Sequence, residues 1–93
     1  MMLFFQPTRP SADAARLLDS ALRNRGLNPR KEQPHPRPDF AVLHWTKAPS
    51  VLIELGFITN DADRAQLTDP AYRERVAMTL ADGCATLFQN WLK

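Results

Sequence analysis

The sequence predicts an α/β fold, a partial layered sheet of about three strands with helices packed on it, in the order β-α-β-β-α-α. Three observations carry that reading. The stretch "SVLIELGF", Ser50 to Phe57, has apolar residues on both faces of a strand, which implies a covering layer on each side. Near the C-terminus Tyr72, Val76, Leu80, Cys84, Leu87 and Trp91 recur at spacings of three and four, giving one long apolar helical side expected to pack on the sheet. Finally, 93 residues suffice for one domain and not for two, so residues 1–93 are read as a single unit whose strands and helices share one small core.

Each element follows from local signals. "MLFFQ" is a short apolar, aromatic run ended by Pro7 and Pro10, and reads as the first strand. "SADAARLLDSALRNRG" supplies Ser11 as N-cap, Asp13 in the first turn, and a stripe of Ala14, Leu17, Leu18, Ala21 and Leu22, with Gly26 closing the helix. Residues 27–39, with four prolines in thirteen positions, read as an extended loop without regular helix or central strand. "FAVLHW" then reads as a strand, and "TKAP" is a link short enough for an antiparallel edge to the strand that follows. Asn60 is the expected N-cap of a helix to about Leu67 with Asp61 and Asp63 in its first turn, and Asp69-Pro70 starts the last helix.

Composition narrows the function classes. Apolar residues at 44% and charged residues at 24% fit an ordinary globular domain. A formal charge of +2 is too weak for a nucleic-acid footprint, although Arg23, Arg25, Arg30, Lys31 and Arg37 gather around the proline-rich segment; a solvated loop is expected there. The single cysteine, Cys84, excludes an internal disulfide and is expected in the core. Trp45 and Trp91 are likewise read as core anchors, His44 as a core or interfacial side chain and His35 as a solvent-exposed one. No run reaches the roughly 20 apolar residues of a membrane span. "MMLFF" is too short for a signal-peptide core, so no export signal is visible and the compartment stays open. Ser11 and Ser50 lack the partners of a serine hydrolase.

Glu54 is the residue that asks for an explanation. Val51, Ile53 and Leu55 share one face of its strand, and Leu52, Glu54 and Gly56 the other. A carboxylate withdrawn from water must find a partner or stay protonated. The strand pattern alone allows either a structural pair with an Arg or Lys of a neighbouring helix, or a working group at the rim where α/β sheets bind ligands.

The segment "FAVLHWTKAPSVLIELGFITNDADRAQLTDPAYRERVAMTLADGCATLF" resembles the closing half of the zinc-dependent N-acetylmuramoyl-L-alanine amidases, the amidase type 3 family. The resemblance rests on "PSVLIELGFITN", the acidic helix start after it and the final amphipathic helix, and "LFFQPTRPSADAARLLDSAL" extends it upstream. It implies a hydrolase for the amide between N-acetylmuramic acid and L-alanine in peptidoglycan, with Glu54 as the catalytic carboxylate and Gly56 and Asn60 beside the substrate cleft. In the family, zinc is held by two histidines and a glutamate in segments preceding the region that matches Leu3. The chain is therefore truncated relative to the family domain, and neither His35 nor His44 matches a ligand position, so no metal ligand is assigned. The resemblance implies inactivity for the chain by itself. Its expected partners are a peptidoglycan stem peptide once complemented, and either a complementary N-terminal amidase half or further copies of itself, since absent layers leave sheet edges and apolar surface open. The alternative is a non-catalytic cell-wall or protein-binding scaffold module derived from an amidase.

Overall fold

The computed structural model describes residues 1–30 and 33–92; Lys31 of the basic cluster, and with it part of the 27–39 loop, lies outside them. The first strand, β1 (Met2–Phe5), is the centre of a three-stranded sheet. On one side it pairs in parallel with a two-residue strand, β2 (His35–Pro36), and on the other antiparallel with β3 (Val51–Glu54). The order is β2-β1-β3, so β3 is an edge.

Between β1 and β2 runs α1 (Arg9–Asn24). Its N-cap is Thr8, whose side chain accepts from the Ser11 amide, and not the expected Ser11. The prolines hid this start: Pro10 falls within the first turn, where its missing N–H costs nothing. Asp13 accordingly lies beyond the first turn and pairs with Arg16 at 3.3 Å. The other end closes as predicted. Gly26 takes φ +75°, the Gly26 amide donates to the Arg23 carbonyl, and the Leu27 amide donates to the Leu22 carbonyl. That six-to-one bond defines a Schellman stop, and Leu27 folds back into the core.

The strand expected at "FAVLHW" is instead a helical turn, α2 (Ala41–His44), in which only Leu43 is buried. The antiparallel place it was expected to take beside β3 is held by β1, and the other side of β1 by His35 and Pro36, from the segment read as loop. Proline is admissible there because β2 is an edge. The β-α-β-β-α-α order therefore holds with one added turn and a different second strand. The remaining helices, α3 (Asp61–Leu67) and α4 (Pro70–Trp91), start at Asn60 and Asp69 as predicted, each cap side chain accepting a backbone amide.

The core is Leu3, Ala14, Leu18, Leu22, Leu27, Val76 and Leu87, with Val51 and Ile53 packed against it. It puts α1 on the β1/β3 face that carries Leu3, Val51 and Ile53. Helix α4 packs mainly on α1, not on the sheet as expected. Gly83 marks the contact: a Cβ there would lie 2.7 Å from Leu18 Cδ2. Among the described residues, α1 is the helix that packs on the β1/β3 face. The opposite face is covered at Phe4, where the Phe40 ring packs edge-on at 5.2 Å, and all four β3 residues stay half-buried. Much of the α4 stripe consequently faces outward: Cys84 is exposed, as is Trp91, and Trp45 is 79% exposed, so none of the three is a core anchor. His44 is exposed too. Among the described residues, no helix is long and apolar enough to cross a membrane.

Candidate functional site

Glu54 is the last residue of β3 and lies directly across from Met2. Strand alternation puts it with Leu52, Met2 and Phe4 on the sheet face opposite α1. Its side chain is half-buried, and none of the ion pairs among the described residues includes it. The structural pairing that the strand pattern left open is thus not made by any described Lys or Arg.

An organised cation on this face is Arg37, from the segment expected to be a solvated loop. Its guanidinium lies 3.9 Å from the Phe40 ring centroid and 5.4 Å from that of Phe4, and it donates twice to Asp39, at 2.9 and 2.8 Å. The Asp39 hydrogen bond holds the Arg37 pKa above its ordinary value; burial opposes, and the charges of Asp39 and Glu54 add to the rise. The same bond, with a backbone hydrogen bond, holds the Asp39 carboxyl down at about 2. Arg37 is thus paired with Asp39 and makes no ion pair with Glu54. An arginine spaced two residues from an aspartate that precedes an aromatic, "RPDF", is the signal that could have found this cluster.

Two polar networks fix where Glu54 sits. Before β3, the buried Ser11 hydroxyl donates to Gln6 Oε1 at 3.3 Å and accepts from the Ser50 amide at 2.9 Å, while Gln6 Nε2 donates to the Thr46 carbonyl at 2.9 Å. After β3, the Phe57 amide donates to Asp63 Oδ2 at 2.9 Å, and the Asp63 amide donates to Asn60 Oδ1 at 2.9 Å. Gly56 lets this turn close, since a Cβ there would be 3.1 Å from Asp63 Cβ and Cγ. Burial, with the Asp63 charge adding, pushes the neighbouring Tyr72 phenol up. Gly56 and Asn60 thus shape the turn that leaves Glu54. Asn60→Ala is expected to cost about 1 kcal/mol through the lost cap, read as a lower urea midpoint with an unchanged slope.

No group of three His, Cys, Asp or Glu placed to hold a metal occurs among the described residues. His35 is exposed on β2, and His44 ends α2 with its ring edge-on to Trp45 at 5.1 Å. The described residues enclose no pocket.

Glu54 thus ends β3 of an α/β domain and is followed by the Gly56 turn and the Asn60-capped helix α3. The chain belongs to the N-acetylmuramoyl-L-alanine amidase family, whose profile matches residues 6–86. Among named relatives it is similar to the "Probable cell wall amidase LytH" of Staphylococcus aureus, 31% identical over 71 residues, 76% of this chain and 24% of the relative. The sequences from strains USA300 and NCTC 8325 match with the same values. The chain spans about a quarter of the length of the curated relatives it matches. No solved structure matches it.

Proposed function

We propose that this chain supplies the glutamate-bearing part of an N-acetylmuramoyl-L-alanine amidase acting on peptidoglycan stem peptides, with Glu54 as its catalytic carboxylate. The observation that supports it most is a carboxylate at the end of an apolar strand, half-buried and joined to no described cation. In this reading Glu54 takes a proton from the attacking water as its oxygen bonds to the lactyl carbonyl carbon. It then delivers that proton to the L-alanine nitrogen as the C–N bond breaks. The products are a lactyl carboxylate and a free amine.

The zinc of the complete family domain does not fit the described residues, so no step is assigned to it. Its ligands would come from a complementary amidase half, and Gly56 and Asn60 would border the cleft closed between the two. The test is release of the alanine amine from a muramoyl dipeptide with zinc present. The chain is assayed alone and after co-expression with the preceding part of the staphylococcal relative's amidase domain. Hydrolysis only in the complemented sample is expected. Hydrolysis by the chain alone would overturn the need for a second half, and none in a stably formed complex would favour the scaffold reading.

A further inference from the structure

Asp63 reaches back towards Glu54 and not into its own helix. It follows the Asn60 cap by three residues, the position from which a capping-box acid ordinarily takes the cap residue's amide. Here that amide is already taken, since the Asn60 N–H donates to the Phe57 carbonyl at 3.0 Å. Asp63 Oδ2 instead accepts from the Phe57 amide at 2.9 Å. The ladder to β1 ends at the Met2–Glu54 pair, so among the described residues this is the next hydrogen bond that the chain makes after β3.

The contact is close because Gly56 lies between. A Cβ at Gly56 would stand 3.1 Å from Asp63 Cβ and Cγ and 3.2 Å from Oδ2, so the carboxylate rests against backbone kept clear of any side chain. Arg64 Nη1 donates to the Ile58 carbonyl at 3.3 Å and ties the tip of the same turn to α3. We infer that Asp63 is a positioning residue for Glu54: it fixes from the α3 side the backbone that β1 fixes from the other, and with it the direction of the Glu54 carboxylate. Donor, acceptor and glycine all lie within residues 54–63, so the bond is complete without any further segment.

A hydrogen bond to a carboxylate is roughly twice as strong as one between neutral groups, and a displacement of about 1 Å at a reacting group can cost on the order of 10²-fold in rate. Glu54 must meet first a water proton and then the leaving nitrogen, so its backbone works best when held on both sides. In this reading Asp63 touches neither group and acts through Glu54. The kinetic consequence rests on the amidase reading, whereas the Phe57 bond stands apart from it.

Amide hydrogen exchange of the chain alone reads the bond directly. Phe57 should exchange about 10-fold faster in Asp63→Ala and within about threefold of the native rate in Asp63→Asn, which keeps an acceptor oxygen, while the β1 and α1 amides stay unchanged. In the complemented amidase, Asp63→Ala should lower kcat on a muramoyl dipeptide by about 10- to 100-fold with KM within about twofold, and Asp63→Asn should recover most of that loss. Should Asp63→Ala fail to fold, Asp63→Ser takes its place with the same expectations, because its hydroxyl oxygen ends a bond short of Oδ2. Unchanged Phe57 exchange in Asp63→Ala would overturn the inference. With Glu54→Gln inactive in the same assay, so would a native kcat in Asp63→Ala, a loss confined to KM, or an Asp63→Asn as slow as Asp63→Ala. Full activity in Glu54→Gln would sink the amidase reading instead, and the kinetic role of Asp63 with it.

Discussion

Glu54→Gln is expected to lower amide hydrolysis in the complemented enzyme by about 10²- to 10⁴-fold, the range that a general acid–base group contributes. Glutamine keeps the length and shape of the side chain and removes only its capacity to take and return a proton. The structure makes this a clean experiment, since no described cation pairs with Glu54 and its backbone bonds to Met2 are side-chain independent. Stability should therefore move by less than about 0.5 kcal/mol, as for a substitution that breaks no described contact. The measurement is kcat on a muramoyl dipeptide beside a urea melt of the same preparation. Lost activity with an unchanged melt supports proton transfer. A large loss of stability, or full activity, would remove Glu54 from the chemistry.

The place of Glu54 in the fold was legible because alternation along "VLIELG" depends only on the two-residue strand period, and β3 keeps that period through Glu54. Caps that rest on one residue type were legible for the same local reason, as at Asn60, Asp69 and Gly26. What failed required knowledge of neighbours. "FAVLHW" suits a strand or a turn equally, and the antiparallel place expected for it beside β3 is held by β1, from the other end of the sequence. The α4 stripe has the correct period, yet periodicity cannot say how much of it is covered. With α1 as its principal partner, Val76 and Leu87 are buried whereas Phe88 and Leu92 are 61% and 71% exposed. The Arg37 cluster was not foreseen because its charge was read without the two aromatic rings that the fold brings beneath it.

That division between covered and uncovered apolar residues yields the largest expected stability effect. Leu22→Ala should cost about 2–5 kcal/mol, because the side chain is fully buried where α1, β1 and α4 meet and its removal leaves a cavity lined by Leu3, Leu18, Leu27 and Val76. Against a total of about 5–14 kcal/mol for a chain of this length, the loss is at least about a seventh of the stability and at the upper end most of it. Phe88→Ala deletes a larger apolar side chain from α4, yet that ring is already mostly in water, so the change should stay within about 0.5 kcal/mol. Urea unfolding of both variants at a concentration where the chain is a monomer checks the pair. If Phe88→Ala cost as much as Leu22→Ala, the outer face of α4 would be packed against something in solution, and the core would be larger than the seven buried residues that α1 and α4 close around Leu3.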